Sequence, residues 1–355
     1  MATRSKYVFR VATPYSTGTG VYLPQYGLLV TNEHVVRDNA SVVIGNAAYS
    51  QQLVPVVYLD AHYDLAFLRP DPAPDLPELP LSPVSPEPGS RVLALGLHFG
   101  QPLQRSEGQL LDDNYAFREQ TFLLHDARQS ANHSGGPLFG EDGSLLGINM
   151  YALSERHGGA LSLPAIRLLD CIATFERGGG RPATRCPDCR QITFEVRLNP
   201  SGHCPNCGAP LLLPNLIEEP ATEGVAATIE EIIRTAGHDP RLARRGPNLW
   251  SIRQGSADIQ IAYHEESGLV TGDAHLCRLP ELPRADLLAF LLRQNNALQQ
   301  LTFSTYGRDV LLSLLIYDRY LRTETALPQF EHLFAKADEY DDVLVEQYGA
   351  AWLEE

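Results

Sequence analysis

Short strand-like runs separated by turn signals occupy the first half of the chain and constrain its fold more than any other feature. They extend from residue 5 to residue 178, and Gly and Pro recur between them. Regular short strands with such breaks are typical of an antiparallel barrel or sandwich. We therefore predict strands at residues 7–11, 20–23, 27–31, 41–44, 53–59, 65–69, 91–97, 121–124, 145–151 and 160–163.

Two further segments frame this β-rich region. The stretch 70–88 is rich in proline. Each Pro removes a donor from a strand ladder, so we predict a surface connection there and no central strand. The apolar pattern of residues 164–175 predicts a short helix that closes the region.

Composition narrows the classes of partner and compartment. The net charge is −15, from 28 basic and 43 acidic residues. A surface of that sign repels nucleic-acid phosphates and anionic lipid, so nucleic acid is an unlikely main partner and no membrane association is expected. The chain contains no apolar run of the length that a secretory signal (about 7–15 residues) or a membrane-spanning helix (about 20) requires. We therefore expect a cytoplasmic protein.

Three segments of the β-rich region supply a serine nucleophile, a histidine base and a carboxylate that can orient the base. They place His34 at the end of a strand, Asp64 at the start of another, and Ser134 in a tight Ser-Gly-Gly turn. A hydroxyl attacks an amide only if a base takes its proton, and a buried carboxylate holds an imidazole base in the required tautomer. Each residue alone is more often structural. Together, in this order on a chain of short strands, they predict a catalytic triad.

The residues around this triad resemble those of chymotrypsin-like peptidases, and among them the bacterial HtrA (Deg) type. The resemblance rests on TNEHVV at 31–36, DLAFL at 64–68, GSRVLALG at 89–96 and NHSGGPLFG at 132–140. It covers about residues 5–175 and implies two six-stranded β-barrels with the active site between them. The triad maps onto His34, Asp64 and Ser134.

The resemblance also implies further site residues and shows two departures. The oxyanion hole would be formed by the N–H groups of Asn132 and Ser134, although the family has Gly at the first position. His133 replaces the usual Asn or Asp, and we expect its side chain to point to solvent rather than to shape the turn. Arg128 and Ser162 would line the first substrate pocket, on opposite walls. PDZ domains usually follow in this family, and we expect none in residues 176–355.

Four cysteines after this region form two C-x-x-C pairs. They are Cys186 with Cys189, and Cys204 with Cys207, separated by 14 residues. Each pair presents two thiolates to one side of a tetrahedral metal, so the pattern predicts a structural Zn²⁺ site and resembles a zinc ribbon. Residues 181–220 carry four basic and four acidic side chains, a balance that favours a spacer or protein-docking role over nucleic-acid binding.

The remainder alternates between helical and strand patterns in the order α-β-β-β-α-β-β-α. A helix is expected at 229–236, where Thr228 and Glu231 fit a capping box, and others at 285–297 and 326–348. The order resembles the type III secretion chaperone-like fold, including its YbjN-type relatives, which implies binding of a protein partner or homodimerisation. The alternative is a stabilising appendage without a ligand. Residues 221–355 hold 12 basic and 21 acidic side chains, which suits a protein partner.

The sequence thus predicts a multidomain chain. An all-β double-barrel protease domain is expected at 1–178, a small zinc ribbon at 183–214 and a C-terminal α+β domain at 222–355. The predicted protein is a serine endopeptidase acting on protein or peptide substrates, with C-terminal modules that recruit the substrate or regulate the protease. One alternative is a catalytically impaired protease-fold protein that binds other proteins or serves as an adaptor. The other is a nucleic-acid-associated protein acting through the ribbon.

Overall fold

The computed structural model describes residues 2–97, 103–130, 133–152, 159–197, 202–219, 221–255, 257–281 and 285–353. The chain divides into two compact units, Met1–Pro220 and Ala221–Glu355. No helix within these described ranges combines the length and the apolar character needed to cross a membrane.

The first six strands close into a barrel. Their hydrogen-bonded order is β5-β4-β1-β2-β3-β6, and β6 pairs back onto β5. Buried Val, Leu and Phe side chains fill it, as expected of runs with high β-propensity. A one-turn helix, α1 (Ala2–Ser5), precedes the barrel, and another, α2 (Glu33–Val36), follows β3. The strands are β1 (Val8–Ala12), β2 (Thr17–Leu23), β3 (Leu28–Thr31), β4 (Ser41–Gly45), β5 (Gln52–Asp60) and β6 (Leu65–Leu68).

The next six strands close a second barrel in the order β10-β11-β12-β9-β8-β7. Together the two barrels confirm the predicted all-β double-barrel architecture. No strand interrupts 70–88 apart from an isolated bridge at Leu81. The strands are β7 (Arg91–Gly96), β8 (Gln104–Phe117), β9 (Gln120–His125), β10 (Pro137–Gly140), β11 (Leu145–Ala152) and β12 (Ala160–Pro164), and helix α3 (Ala165–Arg177) follows them.

The four-cysteine segment is continuous with the first barrel. Strands β13 (Ala183–Arg185) and β14 (Ile192–Phe194) form a hairpin, and β13 pairs parallel to β5. The connection 178–180 is held to α3, since the N–H groups of Gly178 and Gly180 both donate to the carbonyl of Phe175. The segment therefore extends the barrel sheet, within the first unit.

The second unit is an antiparallel sheet with helices, which agrees with the α+β expectation in outline. The sheet order is β15-β16-β17-β18-β20-β19. The first helix begins earlier than expected, at Gly224, where the hydroxyl of Thr228 donates to the Gly224 carbonyl. A short helix and a short strand that the sequence did not predict follow this helix and precede the longer strands. The elements are α4 (Gly224–Thr235), α5 (Pro240–Ala243), β15 (Arg244–Gly246), β16 (Leu249–Gln254), β17 (Ala257–His264), β18 (Leu269–Arg278), α6 (Ala285–Ala297), β19 (Leu301–Tyr306), β20 (Asp309–Tyr317) and α7 (Thr323–Tyr348).

Candidate active site and four-cysteine cluster

His34 contacts both carboxylate oxygens of Asp64, one through its imidazole and one through its backbone N–H. The Nδ1 atom of His34 lies 2.7 Å from Oδ2 of Asp64, and the backbone N–H of His34 donates to Oδ1 at 2.9 Å. His34 lies on the one-turn helix α2, which follows β3 after the single residue Asn32, and not at the end of a strand as predicted. Asp64 lies in the turn between β5 and β6. This arrangement orients the ring and leaves its Nε2 available to a nucleophile.

Asp64 is held in an unusual backbone conformation. Its φ is +49°, in the left-handed region that non-glycine residues seldom occupy. The side chain of Asn32, the residue after β3, donates to the Asp64 carbonyl at 2.9 Å. A strained backbone conformation of this kind persists only where surrounding contacts hold it, and such residues are common at functional sites.

Ser134 lies where the second barrel meets the first. Its carbonyl accepts the N–H of Thr19 in β2 at 2.9 Å. Its hydroxyl donates to the carbonyl of Met150 at 3.3 Å, and the Met150 sulfur in turn accepts from Asn32 at 3.2 Å. The serine turn thus contacts β2 directly and, through Met150, reaches Asn32, which also bonds the Asp64 carbonyl. The hydroxyl is thus directed to the Met150 carbonyl.

The turn around Ser134 leaves no room for larger residues. Gly135 has φ +79°, and a Cβ built on it would lie 2.2 Å from the Thr19 carbonyl oxygen and 2.3 Å from the Thr31 hydroxyl oxygen. Its N–H donates to the carbonyl of Asn149 at 3.0 Å. The Ser-Gly-Gly sequence is therefore required by close backbone approach, as predicted.

The expectation that His133 points to solvent is wrong. Only 4% of His133 is exposed, and its Nδ1 accepts from both the N–H and the hydroxyl of Ser130 at 3.1 Å. A Cβ on Gly96 would lie 2.8 Å from the His133 ring, so a glycine is what allows the ring to enter. His133 shapes the turn that precedes the serine, which is the alternative that the sequence left open.

The other predicted site residues differ in what the structure says of them. Asn132 lies outside the described residues. Arg128 is exposed, and its part in a substrate pocket stays a prediction. Ser162 is fully buried in β12, with its hydroxyl bonded to Asn149 at 3.0 Å and to His125 at 3.0 Å. Its part in the pocket also stays a prediction.

A buried histidine that the sequence did not single out contacts Ser162. His125 is fully buried at the end of β9, and desolvation by burial lowers its pKa to about 4. It is therefore neutral at pH 7. A nearby side chain, Gln129, approaches its Nε2 at 3.3 Å. The signal available in the sequence was only a histidine at the end of a strand.

The four cysteines form a compact cluster that could hold a metal ion. The sulfur atoms of Cys186, Cys189, Cys204 and Cys207 all lie within 4.8 Å of one another. The Cys186–Cys207 pair is 3.5 Å apart and the Cys189–Cys204 pair 3.7 Å. A tetrahedron of thiolates at metal–sulfur distances of about 2.3 Å has edges of about 3.8 Å, so the spacing fits such a site.

The electrostatics of one thiol also fit a thiolate ligand. Burial acts to raise the pKa of Cys204, but the N–H groups of Cys207 and Asn206, together with the neighbouring thiols of Cys189 and Cys186, lower it, whereas the neighbouring thiols raise the pKa of Cys207. Each C-x-x-C pair and the residue after it form a tight loop, here called a knuckle (residues 186–190 and 204–208). The same hydrogen bond closes both knuckles: the Arg190 N–H donates to the Cys186 carbonyl at 3.0 Å, and the Gly208 N–H donates to the Cys204 carbonyl at 2.9 Å.

Comparison with known proteins gives a family match for the region around His34, Asp64 and Ser134. A family model described as "Trypsin-like peptidase domain" matches residues 18–148. Serine protease HTR4 of Rattus norvegicus is 29% identical over 170 residues, which are 46% of this chain and 34% of that protein. A probable periplasmic serine endoprotease, DegP-like, of Pseudomonas fulva is 30% identical over 152 residues, 42% of this chain and 31% of that protein.

A solved structure gives a match of the same kind. The crystal structure of the serine endoprotease from Yersinia pestis has 26% identity and a TM-score of 0.45, and the match covers 51% of this chain and 66% of that one. The chain spans about a third of the length of the two curated relatives named above. Residues 18–148 thus match a trypsin-like peptidase domain, the two closed barrels agree with that match, and the similar curated proteins are named as serine proteases.

Proposed function

We propose that this chain hydrolyses peptide bonds in protein or peptide substrates, with Ser134 as the nucleophile. The observation that carries the proposal is the 2.7 Å contact between His34 Nδ1 and Asp64 Oδ2 beside the serine turn. His34 takes the proton of the Ser134 hydroxyl through Nε2 and later returns it to the leaving amine. Asp64 fixes the tautomer and stabilises the imidazolium.

The hydroxyl of Ser134 must turn from the Met150 carbonyl to His34 before it attacks. The bond to Met150 is 3.3 Å long, which is weak for an O–H donor. Catalytic hydrogen bonds are often formed only when substrate is bound, so this geometry is compatible with the role. We propose the N–H groups of Ser134 and Asn132 as the oxyanion hole, on the resemblance alone.

For the substrate pocket we propose Arg128 and Ser162. An exposed arginine at that position would favour acidic side chains in the substrate. The buried bonds of Ser162 support a role in fixing the pocket wall from behind. His125, neutral at pH 7, adds no charge there.

We propose Zn²⁺ as the metal of the four-cysteine cluster. Four thiolate donors at tetrahedral spacing favour zinc and leave no open position, so the ion would be structural. Thiolate ligands require a reducing environment, and on that ground we propose the cytoplasm as the compartment.

For the second unit we propose a type III secretion chaperone-like, YbjN-type module that binds a protein partner or a second copy of itself. Its helices and six-stranded sheet support that fold. Its 21 acidic against 12 basic side chains favour protein over nucleic acid as a partner.

Cleavage of an unfolded protein substrate tests the central proposal. The purified 355-residue chain should cleave it, Ser134→Ala should abolish cleavage, and Asp64→Asn should lower kcat by about 10⁴-fold. Glu119→Gln, on an exposed turn of the same unit, is the matched control and should leave the rate unchanged. Cleavage that survives in Ser134→Ala would contradict the assignment, and so would a wild-type chain that folds but cleaves nothing in a broad peptide library.

A further inference from the structure

A fully buried carboxylate stands at the head of the turn that carries Asp64. Asp60 ends β5, and none of its side chain is exposed. One carboxylate oxygen accepts the N–H of Tyr63 at 3.0 Å, and the other accepts the hydroxyl of Tyr58 and the Nε–H of Arg185, each at 2.6 Å. A buried charge needs such partners, since it has lost its water.

Arg185 is the residue immediately before the first metal-binding cysteine, and it joins the turn to the cysteine cluster. Its guanidinium donates to Asp60 on one side and to the carbonyl of Arg190 on the other, at 2.7 Å. The same group lies 5.0 Å from the centre of the Tyr63 ring. One planar cation therefore contacts both the residue next to Asp64 and the backbone of the first cysteine knuckle.

The position of the Arg190 carbonyl depends on that knuckle. Arg190 has φ +62°, and its N–H donates to the carbonyl of Cys186 at 3.0 Å. The N–H of Cys186 in turn donates to the carbonyl of Gln191 at 2.9 Å. A metal held by Cys186 and Cys189 would tie the two ends of this loop together and would so help to fix the Arg190 carbonyl that Arg185 uses.

Several contacts hold the turn at the other end, beginning with the β5–β6 pairing of Asp60 with Leu65 across it. The Asp64 backbone is in a left-handed conformation, and the side chain of Asn32 donates a hydrogen bond to its carbonyl. Gln120 donates to the carbonyl of His62. The Asp60–Tyr63 bond also spans the turn, and the Asp60 carboxylate that makes it is oriented by Arg185 together with Tyr58. Displacement of a catalytic group by about 1 Å costs about 100-fold in rate.

We propose that Arg185 is a positioning residue for the peptidase, and that metal binding by the four cysteines controls the alignment of Asp64 with His34 through it. The inference rests on the proposed function. It makes the cysteine cluster a control element of the active site rather than a spacer, with the contacts running from the knuckle through Arg185 and Asp60 to Asp64.

The test compares the metal-loaded 355-residue chain with the same chain stripped by a chelator and then reloaded with Zn²⁺. Two quantities are measured: the rate of labelling by a fluorophosphonate, and the low-field proton signal of the His34–Asp64 hydrogen bond in a Ser134→Ala background. Metal removal should slow labelling at least 10-fold and broaden the signal, and Zn²⁺ should restore both. The proton signal does not depend on activity.

Arg185→Lys separates positioning from stability. The lysine keeps a cation beside Asp60, so the buried carboxylate stays paired and the chain should fold. It lacks the second arm of the fork that reaches Arg190. We expect kcat to fall about 10- to 100-fold with KM within twofold, and labelling to become insensitive to metal removal. A purely stabilising ion pair would change neither the kcat-to-KM pattern nor the response to metal.

The matched control is Glu119→Gln. It removes a second ion pair of the first knuckle, that of Arg190 with Glu119 at 2.9 Å, and Glu119 lies in the turn between β8 and β9. Both side chains of this pair are mostly exposed. This variant should keep the wild-type kcat and the wild-type response to metal, because an exposed pair contributes little.

The outcomes separate the inference from the proposed function. Unchanged labelling and an unchanged proton signal after metal removal would overturn the inference, as would an Arg185→Lys variant with the metal response of the wild type. If the metal-loaded wild type is not labelled at all, the proposed function fails. The proton signal in the Ser134→Ala background then still decides whether the metal controls the His34–Asp64 contact.

Discussion

Gly135 lies where the backbone packs so closely that even a methyl side chain has no room. It follows Ser134 with φ +79°, and a Cβ there would lie 2.2 Å from the Thr19 carbonyl oxygen, 2.3 Å from the Thr31 hydroxyl oxygen and 2.9 Å from the Asn32 nitrogen. Ordinary contacts between non-bonded atoms lie near 3.5 Å, so the shortest of these falls short by more than 1 Å. Two of the three atoms are backbone and cannot rotate away.

The magnitude follows from two costs. A non-glycine residue in a left-handed conformation costs about 1–2 kcal/mol. Overpacking against rigid neighbours adds about 1–3 kcal/mol. Gly135→Ala should therefore lower the free energy of unfolding of the first unit by about 2–5 kcal/mol. Because the strain is relieved by moving the serine turn, kcat should fall about 100-fold.

Gly89→Ala provides the matched control. Gly89 has φ +91° in an exposed turn of the second barrel, and no atom lies within 4 Å of a Cβ built there. It should show the conformational cost alone, about 1–2 kcal/mol, with unchanged kcat. Urea unfolding gives the stabilities, and peptide cleavage gives kcat. If the two variants match in both stability and kcat, the close packing of the serine turn is not what this reasoning requires.

Three further predictions concern other parts of the molecule. Burial lowers the pKa of His125 to about 4, so the stabilisation from its neutral form is present above pH 6.5 and lost as the pH falls towards 4. Urea unfolding should show a loss of about 3 kcal/mol over that range, and a smaller loss in His125→Asn. Cys204→Ser should reduce bound zinc to well under one ion per chain by elemental analysis, while full occupancy would refute the ligand set. Glu230→Gln leaves the buried Arg244 without its carboxylate partners at 2.8 and 3.1 Å and should destabilise the second unit by about 3–5 kcal/mol, monitored by Trp250 fluorescence. The exposed Glu231→Gln should change that stability by less than about 0.5 kcal/mol, and equal effects would contradict the argument.

Strand periodicity predicted most of the two barrels because their strands carry regular apolar runs. It missed β8, whose sequence QRSEGQLLDDNYAF is largely polar and whose residues are mostly exposed or half-buried. It also missed β10 (Pro137–Gly140), which begins with proline and follows the serine turn directly. Both strands are specified by their partners in a closed barrel, and no local pattern shows that.

Residue order and turn chemistry predicted the contact of His34 with Asp64, but they could not predict side-chain directions. The rotation of the Ser134 hydroxyl towards Met150 and the burial of His133 under Gly96 depend on contacts between distant segments. The capping box at Thr228 failed because α4 begins a turn earlier, at Gly224.

The link between Asp60 and Arg185 had no local signal in the sequence. The two residues are 125 positions apart. Each reads as an ordinary charged residue until the parallel pairing of β13 with β5 brings them together.

Mass spectrometry of the chain after treatment with a fluorophosphonate tests the central claim most directly. The account predicts a single adduct on the peptide that contains Ser134, and none in Ser134→Ala or His34→Ala. A folded, metal-loaded chain that gains no adduct, or gains it on another residue, would contradict the account.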